Sequence, residues 1–256
     1  MDKRHTAIVT GGLQGMGLAI ASELASRGMS VAIGARRGDD EKLSARARDV
    51  IGEDCLVAAL DVRSTESVES FVSRVRESLG PPDILVNAAG ITIHQTIEGH
   101  TEEDWLNVVD INLSGPFRMI RACLPAMKQR GWGRIVNIAS TAARTAAATH
   151  AAYCASKTGL IGLTRAVALE GAPRGVTCVA ISPGWVETDM LRESASILAQ
   201  KSGRSQAEEI AIMGASNPQN RLIQPSEIAA LVAFCCSDAA AGLTMEDIQV
   251  NAGALW

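Results

Sequence analysis

Short, mostly apolar runs recur along the chain, separated by turns and stretches of helical period. The runs fall at 6–10, 30–35, 55–60, 83–86, 134–139, 175–181 and 247–250. Four to eight aliphatic residues without polar alternation suit strands covered on both faces, the pattern of a parallel sheet. Helical segments separate them: about 18–27, 39–51, 64–79, 102–130, the segment carrying Tyr153, and 225–235, for which Ser226 is a candidate N-cap. Strands alternating with helices predict an α/β fold, a doubly wound seven-stranded parallel sheet with helices on both faces, built as a single domain over 1–256. Asn112-Leu113-Ser114-Gly115-Pro116 interrupts the 102–130 pattern and predicts a kink that frees backbone groups to hold water. Residues 189–221 have weaker period and read as one or two short helices in a mobile lobe.

Ligands of such sheets bind beyond the carboxyl ends of the strands, and polar and small residues gather at those ends here. Thr10-Gly11-Gly12-Leu13-Gln14-Gly15-Met16-Gly17 links the first strand to the first helix. Glycines at such a turn let a phosphate approach, and the helix N-terminus offers it N–H groups and a positive dipole; an ordinary glycine-rich turn has the same composition. The second strand ends in Ala35-Arg36-Arg37. In dinucleotide folds an acidic residue near this point binds a ribose 2′-hydroxyl, whereas guanidinium groups pair with a 2′-phosphate. Two arginines here favour NADP over NAD, with Arg36 the better candidate, although arginines at a strand end can also be merely solvated. Asp61-Val62 ends the third strand, where the carboxylate suits either an adenine amino group or the cap of the next helix. Asn87-Ala88-Ala89-Gly90 ends the fourth; its small residues let a ring or ribose lie against backbone, and Asn87 can brace neighbouring strands. Ser140 ends the fifth, and Pro183-Gly184-Trp185-Val186-Glu187-Thr188 follows the sixth.

Tyr153 and Lys157 lie four residues apart, one above the other on a helix. A phenol titrates near pH 10, and an adjacent ammonium favours the phenolate, so the pair suits proton exchange with an alcohol or carbonyl oxygen. His94, Thr141, His150, Trp185 and Met190 are candidates to face a substrate, and Leu191, Ile197 and Leu198 complete a possible apolar lid with Met190. No Arg or Lys is placed to grip a substrate carboxylate.

Composition narrows the partners. A net charge of −4 with interspersed acids and bases gives no basic stripe for nucleic acid. No apolar run approaches the ~20 residues of a membrane span, and the first apolar run is too short for a secretory signal. Six cysteines without a C-x-x-C pair and four scattered histidines predict reduced thiols, no metal site and a cytoplasmic setting. Small residues along the Tyr153 helix offer a close-packing face for a second copy of the chain.

Taken in order, these motifs resemble the short-chain dehydrogenase/reductase family in its ~250-residue single-domain form, and in particular its 3-oxoacyl-carrier-protein reductases. T-G-x-x-x-G-x-G matches Thr10 to Gly17, N-N-A-G matches Asn87 to Gly90 with alanine in second place, and Asn112, Ser140, Tyr153 and Lys157 match the family's catalytic four in order and spacing. The resemblance implies hydride transfer between a nicotinamide and a ketone or secondary alcohol. Tyr153 acts as acid or base, Ser140 orients the oxygen, Lys157 binds the ribose and lowers the tyrosine pKa, and Asn112 holds a water. Gly11, Leu13, Gln14, Gly15, Met16, Gly17, Arg36, Arg37, Asp61, Val62, Asn87, Ala88, Gly90, Tyr153, Lys157, Pro183, Gly184, Val186 and Thr188 form the cofactor site, and the assembly is a homotetramer or homodimer. Two rival expectations are an NAD-dependent dehydrogenase of a sugar, polyol or hydroxy acid, and a dinucleotide-sensing protein without catalysis.

Overall fold

In a computed structural model that describes residues 4–254, seven strands form one parallel sheet in the order β3-β2-β1-β4-β5-β6-β7. The strands are β1 (Thr6–Thr10), β2 (Ser30–Ala35), β3 (Leu56–Ala59), β4 (Ile84–Asn87), β5 (Gly133–Ile138), β6 (Val176–Pro183) and β7 (Asp247–Val250). Between them run α1 (Gly15–Ser26), α2 (Glu41–Ile51), α3 (Thr65–Leu79), α4 (Glu102–Val109), α5 (Gly115–Arg130), α6 (Ala151–Gly171), α7 (Asp189–Ser202), α8 (Gln206–Ala215) and α9 (Pro225–Cys235). The two-residue period of a strand sends neighbours to opposite faces. Ala7 and Val9 therefore join a core with Ile20, Leu24, Ile228 and Val232 of α1 and α9. Ile8, between them, joins Phe71, Met119 and Val167 on the other face. Each such aliphatic side chain contributes about 1.5–3 kcal/mol by leaving water, and two filled faces explain why the strands read as unbroken apolar runs.

Chain order reverses between β1 and β4, and that switch point opens the crevice in which doubly wound sheets hold ligands. Side chains fix its shape. Thr10 Oγ1 accepts from the N–H groups of both Ala88 and Ala89 at 3.1 Å, which ties the turn after β4 to the end of β1. Asn87 Nδ2 donates to Asn137 Oδ1 at 2.8 Å, and Asn137 Nδ2 donates to Thr164 Oγ1 at 2.9 Å, joining β4, β5 and α6. The expected bracing role of Asn87 is thus present.

Three expectations need correction. The interruption of the 102–130 helix begins earlier than Asn112, as a π-turn over Asp110–Ser114, and Pro116 sits harmlessly at the start of α5, where its missing N–H is not needed. Ser226 does not cap α9; Gln224 does, in a capping box with Glu227, because Pro225 takes the first helical position. The sixth strand runs to Pro183, beyond the expected 181, since β7 pairs with it to the end. The 189–221 stretch forms two helices, α7 and α8, each with a serine or threonine N-cap. No helix among the described residues is long and apolar enough to cross a membrane.

Candidate active site

Two depressions meet along the carboxyl edge of the sheet. The first is a groove between β1 and β4, lined by Gly11, Leu13, Gln14, Gly15, Met16 and Gly17 on one side and by Ala88, Gly90 and Ile111 on the other, with Arg36, Arg37, Asp61 and Val62 at its far end. A Cβ at Gly17 would overlap the carbonyl oxygen of Gly11, so only glycine permits this turn. Gln14 precedes α1 without any side-chain cap, which leaves the first N–H groups of that helix directed at the groove. A cradle that a Cβ would fill, at an uncapped helix start, fits the pyrophosphate of a dinucleotide.

At the far end the structure separates residues that look alike in sequence. Arg37 is tied at 2.5 Å to Asp40, the N-cap of α2. Arg36 is exposed, makes no ion pair among the described residues, and lines the far end of the groove. Asp61 is clamped bidentately by Arg63, with contacts of 2.7–3.2 Å, and this guanidinium holds its carboxyl below the usual range. Ser64, not Asp61, caps α3.

The second depression is a cavity lined by Ser140, Thr141, His150, Tyr153, Pro183, Gly184, Trp185 and Val186, with Met190, Leu191 and Ser194 of α7 closing it. Met16, Thr188 and Met190 line both depressions and mark their junction. Of the expected lid residues, Ile197 and Leu198 do not reach the cavity, and neither does His94. Thr92, Thr145 and Ser194 line it as well. Small polar residues of this kind carry no spacing signal; only the position of Ser194 four residues after Met190, on the same helix face, hinted at its place.

Of the proposed catalytic residues, Ser140 and Tyr153 line the cavity, whereas Lys157 and Asn112 are buried and line neither depression. Ser140 follows β5, and its hydroxyl accepts from the Ala142 N–H at 3.1 Å, fixing the short turn after the strand. Tyr153 stands near the start of α6; burial raises its pKa, and a hydrogen bond with Ser140 pulls the other way. Lys157, 4% exposed, donates from Nζ to the Ile138 carbonyl at 2.7 Å, and burial pushes its pKa down to about 8. Its ammonium stands 5.6 Å from the Tyr153 ring centroid, and burial is the largest influence on the phenol. Asn112 is fully buried and its amide is engaged at both ends: Oδ1 accepts from Ile91 N–H at 2.9 Å, and Nδ2 donates to Ile91 O and Ser156 Oγ. A Cβ on Gly90 would lie 3.5 Å from Lys157 Nζ, so the wall opposite the lysine is kept bare.

Over residues 11–254 the chain matches a family model described as enoyl-(acyl carrier protein) reductase. It is 37% identical over 252 residues to the 3-oxoacyl-(acyl-carrier-protein) reductase FabG of Escherichia coli (strain K12), covering 96% of each chain. The chain is a short-chain dehydrogenase/reductase. This short-chain dehydrogenase/reductase is also 36% identical to the D-beta-hydroxybutyrate dehydrogenase of Cupriavidus necator, over 98% of its own length and 95% of the relative. Among solved structures it resembles an actinorhodin polyketide ketoreductase determined with NADPH, at 37% identity and a TM-score of 0.93, covering 98% of this chain and 97% of the other. Membership makes it an oxidoreductase of hydroxyl and keto groups.

Proposed function

We propose that the chain reduces a ketone, of the 3-oxoacyl kind, to a secondary alcohol with NADPH. The observation that carries this is the meeting of the two depressions: Ser140 and Tyr153 line the cavity into which the glycine-walled groove opens, Lys157 is buried with its ammonium behind Gly90 of the groove wall, and an unpaired Arg36 lies at the groove's other end. The ketoreductase relative solved with NADPH and the FabG relative point the same way.

When bound, the nicotinamide supplies a hydride to the carbonyl carbon. Ser140 orients the carbonyl oxygen, and Tyr153 gives that oxygen its phenolic proton as negative charge develops there. The raised pKa of Tyr153 keeps the phenol protonated at neutral pH, the state that reduction requires. In the reverse direction the same phenol must first lose its proton, so alcohol oxidation should climb with pH through the alkaline range while reduction holds level through neutrality. Lys157 holds the ribose side of the groove and, as an ammonium, helps the phenolate left behind to recover a proton. The groove residues named above bind the cofactor, and Thr141, His150, Trp185 and Met190 contact the substrate. The chain works as a single domain, with 189–221 as its substrate-binding lobe.

The relative named as a hydroxybutyrate dehydrogenase favours a second reading, NAD-dependent oxidation of a short hydroxy acid. Against it, the cavity lining holds neither Arg nor Lys to pair with a carboxylate. Affinities for NADPH and NADH, together with turnover on 3-oxoacyl thioesters and on 3-hydroxybutyrate, separate the two. Preference for NADPH and for the thioester supports ketone reduction; preference for NADH and the free acid overturns it, and binding of NADPH without turnover of any ketone leaves a sensor. Exposed Leu106, Phe117 and Leu169 on α4, α5 and α6 support a homotetramer or homodimer, which light scattering would read directly. The six free thiols suit a cytoplasmic setting.

A further inference from the structure

Three segments wall the substrate cavity: residues 91–96 after β4, residues 144–150 before α6, and α7. They meet at one side chain that does not itself line the cavity. His94 Nε2 lies 3.2 Å from Ser194 Oγ, across 100 residues of sequence, and Ser194 is a buried, cavity-lining residue of α7. The same imidazole meets His150 edge-on, with centroids 4.2 Å apart and planes at 74°. His150 in turn stands edge-on to the Tyr153 ring at 6.4 Å. Its own ring is fixed, because Nδ1 lies 2.9 Å from the Ala148 carbonyl, which can only accept a proton. Backbone pairing joins the two loops as well: Gln95 N–H donates to the Thr149 carbonyl at 3.0 Å, and Gln95 bridges to His150. Thr149 adopts φ +68°, a costly conformation for a β-branched residue, so this loop is held in place by its surroundings rather than by its own preference.

We propose that His94 and Ser194 form a latch that seats α7 against the catalytic wall and so sets the width of the substrate cavity. His94 is then a positioning residue that decides which ketones fit beside Tyr153, a role that rests on the reductase activity proposed above. The groups facing its ring are His150 and Lys201 of α7; burial first, then these two, push the imidazole down to about 4. The ring is neutral above that pH, with one nitrogen to donate and one to accept. A charged ring would face the Lys201 ammonium on the helix it should retain, so the latch holds throughout the neutral range.

Amide hydrogen exchange over 189–202 reads the latch without turnover. His94→Phe keeps a ring against His150 and loses the nitrogen, Ser194→Ala removes the other partner, and His94→Gln places an amide near the position of Nε2. In the first two variants, exchange in α7 should rise about fivefold, the size of one lost hydrogen bond, and the double variant should rise no further. His94→Gln should stay near the wild type. With ethyl 3-oxobutanoate as the compact ketone and ethyl benzoylacetate as the bulky one, the bulky-to-compact ratio of kcat/KM should rise about fivefold in His94→Phe and Ser194→Ala, mostly through KM. Unchanged exchange in α7, exchange that rises evenly along the whole chain, effects of the two substitutions that simply add, or an unchanged ketone ratio would each overturn the latch. If the wild type reduces neither ketone while α7 exchange follows the expected pattern, the reductase proposal falls and the latch between these residues stands.

Discussion

The two halves of the site are built from different materials. The cofactor groove is made mainly of backbone: glycines at the turn after β1, bare N–H groups at the start of α1, and small residues after β4 held by Thr10. The substrate cavity is made of side chains carried on loops and on α7, and it is shaped by contacts between residues far apart in sequence. Backbone sites tolerate no added atom but accept many side chains nearby. Side-chain sites accept change readily and alter their selectivity when they do. One half is thus built to hold a constant ligand, the other to be revised.

That contrast can be broken at several points. Tyr153→Phe should leave NADPH affinity intact and lower turnover on the order of 10³-fold, measured by steady-state kinetics beside fluorescence titration of the cofactor. Retained turnover would remove the tyrosine from the chemistry. Gly17→Val should do the opposite, abolishing cofactor binding and lowering stability by about 2–3 kcal/mol, because its Cβ has nowhere to go beside the Gly11 carbonyl. A valine variant that bound NADPH normally would show that the groove is less dependent on bare backbone than its geometry indicates. Arg36→Ala should weaken NADPH binding about 10- to 100-fold with little effect on NADH, whereas Arg37→Ala, which loses a contact to Asp40, should change either affinity by less than about threefold. Equal losses would merge two arginines that the structure separates.

The smallest expected effect concerns stability. Lys157 has a folded pKa of about 8 against an ordinary 10.5, so the unfolded chain retains a proton that the folded chain sheds between those values. Stability should therefore rise as pH climbs from about 8 to 10.5, and below pH 8 the desolvation cost is carried in full. Lys157→Met should flatten that slope in urea titrations and gain about 1 kcal/mol at neutral pH while losing activity. A slope unchanged by the substitution would locate the titration elsewhere.

The same division explains what could be read from the sequence. Seven apolar runs gave seven strands, since burial on both faces leaves a local mark. The glycine turn, Ser140, Tyr153 and Lys157 were legible because each sits at a strand end or at a fixed helical spacing. The pairing of Arg37 with Asp40, the clamp of Arg63 on Asp61 and the hydrogen bonds of the Asn112 amide were not, for they depend on rotamers and on partners up to 44 residues away. Thr92 left no mark, and Ser194 only its place four residues after Met190: a serine on an amphipathic helix and a threonine in a loop look alike wherever they fall. Ser226 misled because Pro225 beside it already marks the first turn of the helix, so the cap must come before it.

The π-turn over Asp110–Ser114 has a consequence for how such a site can be lost. It is, in effect, one residue too many between α4 and α5. Deleting a single residue there would let the two helices merge into one regular helix, with every backbone bond made. It would also rotate one helix against the other by about 100° and carry Asn112 away from Ile91 and Ser156. A descendant with that deletion could keep the sheet and the glycine groove while its active site came apart, so a cofactor-binding protein without chemistry lies a single codon away.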